Sequence, residues 1–77
     1  MATAFILINS EIGEENNVME QLLELPNVKE AHVVYGVYDL IAKIEAEDTE
    51  SLKKIVTENL RALDNVRSTM TMICVEQ

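Results

Sequence analysis

The chain has 77 residues, with fourteen acidic against six basic side chains and a formal charge of −8. Its bases, Lys29, Lys43, Lys53, Lys54, Arg61 and Arg67, are scattered, so it carries no footprint for neutralising phosphates and would repel nucleic acid and anionic membranes. No apolar run approaches the roughly 20 residues that cross a bilayer. The length suits one domain, residues 1–77, that buries only roughly 60% of its unfolded surface, so partner chains are an expected source of stability. At 48% hydrophobic and 26% charged, with two glycines and one proline, the composition is that of a folded globular protein. The single cysteine, Cys74, has no partner for an internal disulfide. Without a charged-then-apolar leader at the N-terminus, a cytoplasmic location is the expectation.

From Ala2 to Ile8 the residues are bulky or β-branched with hardly a polar break, which predicts a central strand buried on both faces. Asn9, Ser10, Glu11 and Gly13 form a polar connection. Val18, Met19, Leu22 and Leu23 then make a helical stripe, with Glu14 and Glu15 in the first turn, where the helix dipole favours negative charge. Pro26 disfavours helical backbone at Leu25 and ends the helix there. Strands are predicted at Val28–Tyr35 and Asp39–Ala46, joined by a tight turn at which Gly36 is free to take positive φ. Asp48 or Thr49 caps a second helix, whose apolar stripe is Leu52, Ile55, Val56, Leu60 and Leu63. Asp64 and Asn65 end it, and Val66–Val75 is a fourth strand, with Thr69, Thr71, Ile73 and Val75 on one face and Met70, Met72 and Cys74 on the other.

The two halves resemble each other: Leu25-Pro26-Asn27-Val28-Lys29 and Leu63-Asp64-Asn65-Val66-Arg67 occupy the same place after a helix. A β-α-β order run twice predicts an α+β, ferredoxin-like βαββαβ fold, a four-stranded antiparallel sheet with two helices on one face. The other face is left bare. Strands one, three and four carry apolar or small residues at both odd and even positions, where a solvated face would alternate with polar ones. Two such sheets are therefore expected to stack in a homodimer of twofold symmetry.

Little in the chain has the pattern of catalysis. His32 and Cys74 show no zinc spacing and read as a sheet-packed histidine and a small buried thiol. The serines have no evident base beside them, and the paired acids lack the alternating oxygens and fixed glycine of a calcium loop. No metal, no cofactor and no catalytic residue are expected. The exception is the hairpin tip, where Tyr35, Gly36, Tyr38 and Asp39 gather both tyrosines, a carboxylate and exposed backbone N–H groups. A free α-amino acid suits that chemistry, its carboxylate taken by N–H donors and its ammonium by Asp39 or carbonyls. A turn whose tyrosines simply pack at a subunit contact fits these residues equally well.

The chain resembles the effector-binding (RAM) domain of the Lrp/AsnC family of transcription regulators along essentially its whole length. Val28, Gly36-Val37-Tyr38-Asp39-Leu40, Asp48 with Leu52, Leu60 and Leu63, Val66 and Thr69-Met70-Thr71 carry the resemblance. The Gly-x-Tyr-Asp hairpin is its most specific part. The resemblance implies an amino-acid effector held between dimers, with Gly36, Val37, Tyr38, Asp39 and Leu40 from the hairpin and Thr69, Met70 and Thr71 from the last strand as ligand-binding residues. It also implies a homodimer that assembles further, as an octamer or similar ring. Regulators of the family carry an N-terminal helix-turn-helix module, and this sequence opens directly on the first strand. The expected protein is thus a stand-alone module, without DNA binding of its own, that modulates transcription or metabolism through partners, full-length Lrp/AsnC-type regulators among them. The alternatives are a small dimeric ferredoxin-like enzyme, of isomerase or monooxygenase type, and a purely structural assembly unit.

Overall fold

The computed structural model describes residues 1–75, so the last two residues of the expected 1–77 domain lie outside the described part. The elements run β1 (Ala2–Ser10), α1 (Glu15–Glu24), β2 (Val28–Val33), β3 (Leu40–Ala46), α2 (Thr49–Ile55), a π-helical turn (Val56–Leu60) and β4 (Val66–Ile73). The strands form one sheet in the order β2-β3-β1-β4, antiparallel throughout. This is the ferredoxin-like α+β fold.

The core is built by period-2 alternation. Ala4, Ile6 and Ile8 of β1 are buried and pair across the sheet with Ile44, Ala42 and Leu40 of β3. Against them lie Val18 and Leu22 of α1, Leu52 of α2, and Val56 and Leu60 of the π-helical turn. Each fully buried Leu or Ile contributes about 1.5–3 kcal/mol over an exposed one. The helices therefore owe their stability to this face rather than to their own short length.

The helix ends follow local chemistry. Leu25 is extended (ψ 124°) ahead of Pro26, as the proline ring demands. Asp48 is the cap of α2, its Oδ1 accepting the Ser51 N–H at 2.8 Å. Beyond Ile55 the helix widens, the Arg61 N–H donating to the Val56 carbonyl at 3.0 Å. The chain then turns through Asn65, at φ 66°, a left-handed conformation that asparagine tolerates better than other side chains.

Several expectations are corrected. Leu23 is 63% exposed, because Val18 and Leu22, one helical turn apart, are the residues buried against the sheet, with Met19 packing partly against the core. Strand β2 stops at Val33 and β3 starts at Leu40, since beyond Val33 the loop is closed by the single bond from the Val34 N–H to the Asp39 carbonyl. Cys74 is exposed, lying just past the end of the edge strand β4. His32 is exposed as well, beside Glu30 with Nε2 and Oε1 3.4 Å apart.

The sheet face away from the helices carries two cross-strand rows, read from the register. One is His32–Ile41–Leu7–Met70, the other Glu30–Lys43–Phe5–Met72. Lys43 Nζ lies 3.9 Å from Glu30 and 3.8 Å from Glu45. The β2–β3 half of this face is thus charged, and the β1–β4 half apolar. Phe5, Leu7 and Ile41 are half-buried within the chain, while Met70 and Met72 remain about half exposed.

Candidate ligand-binding cleft

The end of the sheet nearest the hairpin loop is organised by Asp39. Its backbone N–H donates to the Ile8 carbonyl (2.9 Å), and its own carbonyl accepts the Val34 N–H (2.8 Å), closing the loop. Its Oδ2 accepts the Ser10 N–H at 3.0 Å and the Ser10 hydroxyl at 3.4 Å. Ser10 is the buried polar residue at the end of β1, and this carboxylate satisfies it. Alternation along β1 turns the Ser10 N–H, like the Ile8 carbonyl, toward β3, while on the other side the β1–β4 register shifts between Asn9 and Ser10 and leaves Arg67 opposite no single residue. Beside the shift, Asn9 Nδ2 donates to Ser68 Oγ at 3.3 Å.

Gly36 adopts φ 152°, a region that side chains disfavour, although open space surrounds the position a Cβ would take. The requirement for glycine here is conformational rather than steric.

A cleft of about 470 Å³ opens over this end, within the size range of small-molecule sites. Asn9, Ser10 and Ser68 supply amide and hydroxyl groups, and Ile12 and Val37 supply apolar walls. Three charged side chains complete the lining: Arg67 at the start of β4, Asp39 from the loop, and Glu15 from the first turn of α1. Ser10 engages only Oδ2 of Asp39, which leaves Oδ1 available to another donor. A guanidinium and two carboxylates that line one cleft with hydroxyls and apolar groups make an arrangement able to hold a small zwitterion. A larger cleft of about 630 Å³ at the opposite end contains Glu47 and Asp48 but no basic side chain.

The residues expected from the hairpin and last strand are distributed over three surfaces. Val37 and Asp39 line the cleft. The Tyr38 hydroxyl lies 3.8 Å from the Met70 sulfur, and Met70 pairs with Leu7 on the bare face. Leu40 is in the core, while Thr69 and Thr71 pair with the buried Ile8 and Ile6 and so face the helices. The Thr71 hydroxyl is buried without a hydrogen-bond partner. Sequence reading missed Asn9, Ser10, Ile12, Glu15, Arg67 and Ser68 as lining residues. One available signal was that the apolar strands both turn polar at this end, at Asn9-Ser10 and at Arg67-Ser68. Among the described residues, no three His, Cys, Asp or Glu side chains gather as metal ligands, and no helix is long and apolar enough to cross a membrane.

Residues 3–77 match the Lrp/AsnC ligand binding domain. The chain belongs to this family. Over 74 residues it is 38% identical to an uncharacterized HTH-type transcriptional regulator of Pyrococcus furiosus, covering 92% of this chain and 49% of that protein. The chain spans about half the length of the curated regulators it matches. The crystal structure of FFRP-DM1 superposes with a TM-score of 0.93 at 48% identity, covering 97% of this chain and 100% of that one. A homocitrate synthase of Sulfurisphaera tokodaii is 38% identical over 60 residues, 78% of this chain but 13% of the enzyme. An Lrp/AsnC ligand-binding domain thus aligns both with half of a transcription regulator and with a small part of a metabolic enzyme.

Proposed function

We propose that this Lrp/AsnC domain binds a free α-amino acid at the hairpin end of its sheet and couples binding to self-assembly. It would modulate transcription or metabolism through partner proteins. The observation that carries this reading is that Arg67 and Asp39 line one cleft, a cation for the ligand carboxylate and an anion for its ammonium. The charge of −8 argues that any influence on a promoter passes through a partner rather than through direct contact with DNA.

Assembly follows from what one chain leaves uncovered. Phe5, Leu7, Ile41, Met70 and Met72 lie side by side on the bare face, none of them fully buried within the chain, and a second copy stacked by twofold symmetry would cover them. Tyr35 and Val37 at the loop tip are 104% and 85% exposed and suit a contact between such pairs. Gly36, Val37, Tyr38, Asp39 and Met70 would then frame a site shared by neighbouring copies, with Leu40, Thr69 and Thr71 packed behind them.

A ligand alters assembly only if it binds one state more tightly than the other, so effector and oligomer size must influence each other reciprocally. Calorimetry against the twenty amino acids, paired with light scattering, is the test. The expected result is binding of at least one amino acid together with a change in particle mass. Absence of binding by all twenty overturns the reading and leaves a structural assembly unit.

A further inference from the structure

We infer that the cleft at the hairpin end selects amino acids whose side chain carries a positive charge, such as lysine or arginine. This inference rests on the amino-acid reading above and adds the ligand's class. It starts from charge balance: the cleft holds two carboxylates, Glu15 and Asp39, against one guanidinium, Arg67. Arg67 enters none of the ion pairs among the described residues, so its charge is free for a ligand carboxylate.

A neutral zwitterion spends its carboxylate on Arg67 and its ammonium on one acid, leaving the other acid without a cationic partner and the cleft with an unused negative charge. A ligand with two positive groups and one negative group leaves none unpaired. An acidic side chain meets a second carboxylate and is repelled.

Three further features agree. Asp39 is held in place through Oδ2 by Ser10, so its Oδ1 is a preorganised acceptor. Ile12 and Val37, the apolar wall residues, suit the methylene stem of lysine or arginine, which packs along apolar surface while its head stays at the polar rim. The protein's overall negative field also raises the local concentration of cationic ligands.

The test is calorimetry on the full chain with L-lysine, L-arginine, L-leucine and L-glutamate. Lysine or arginine is expected to bind at least about fivefold more tightly than leucine, the size of one partly exposed charge pair, with glutamate weakest. The Glu15→Gln variant should pull the lysine-to-leucine ratio toward one, whereas Glu15→Asp, which keeps the charge, should preserve it. Leucine binding as tightly as lysine to the unaltered chain overturns the selectivity while leaving the amino-acid reading in place. Unchanged ratios in Glu15→Gln overturn the role given to Glu15. Failure of every amino acid to bind overturns both proposals together.

Discussion

Gln21 grips the backbone of Asp64 with both ends of its amide: Oε1 accepts the Asp64 N–H and Nε2 donates to the Asp64 carbonyl, each at 3.0 Å. The same Nε2 reaches Asn17 Oδ1 at 2.8 Å, which in turn accepts from Asn65 Nδ2 at 3.1 Å. The side chain thus takes the place of a neighbouring strand for one residue and fastens the end of the second helical segment to α1. Gln21→Ala removes these three neutral hydrogen bonds, all of them exposed. The expected loss is about 1 kcal/mol, measured by urea denaturation. Gln21→Glu keeps the acceptor but sets a carboxylate oxygen against the Asp64 carbonyl and Asn17 Oδ1, and should be no more stable than Gln21→Ala.

Asp39 has a structural task separable from its charge. Asp39→Ala leaves the buried Ser10 N–H without its partner and should cost about 2 kcal/mol, in the range for hydrogen bonds to charged groups. Asp39→Asn retains an oxygen that can accept from Ser10, so most of that stability should remain. The comparison of chemical denaturation midpoints for the two variants separates the brace from the charge.

The cap of α2 gives a pH signature. The backbone hydrogen bond from Ser51, reinforced by the Ser51 side chain, holds the Asp48 carboxyl below the ordinary carboxylate range. A group whose folded value is depressed adds stability above its unfolded value and loses it as pH falls through the folded value. The melting temperature should therefore decline in acid below about pH 4. Asp48→Ser, which caps without titrating, should show a smaller acid decline than the unaltered chain across that window.

Leu7 sits mid-row on the bare face, between Ile41 and Met70. Leu7→Glu should convert the stacked dimer to monomers in sedimentation at micromolar concentration, because the new charge would be buried without a partner in the pair. The same substitution at Leu23, exposed on α1, should leave the particle mass unchanged. Two equal masses at Leu7 and in the unaltered chain would exclude stacking through this face.

How much of this could be read from the residues alone depends on the length scale of the signal. The strands, the turn glycine and the cap at Asp48 come from local chemistry and were legible. The stripe on α1 was drawn too wide, because residues adjacent to Val18 and Leu22 lie 100° away on the helix and only tertiary packing decides which side is covered. The widened turn at Val56–Leu60 was invisible, since apolar residues four apart suit both windings. The cleft was the hardest part. Asn9, Glu15, Arg67 and Ser68 are distant in sequence from the hairpin, and only the pairing of β1 with both its neighbours and the start of α1 beside them bring them to its edge.

The strand order places β2 and β4 on the two borders of the sheet, and the borders are not defended alike. Along β2 run Lys29, Glu30 and His32, whereas from Ser68 to Val75 the other border has no charged side chain at all. Charges at a sheet margin discourage foreign backbone from pairing there. The margin formed by β4 is therefore where a stray hairpin or a partly unfolded copy would extend the sheet, and a lysine grafted near its middle is the simplest protection for material kept at high concentration.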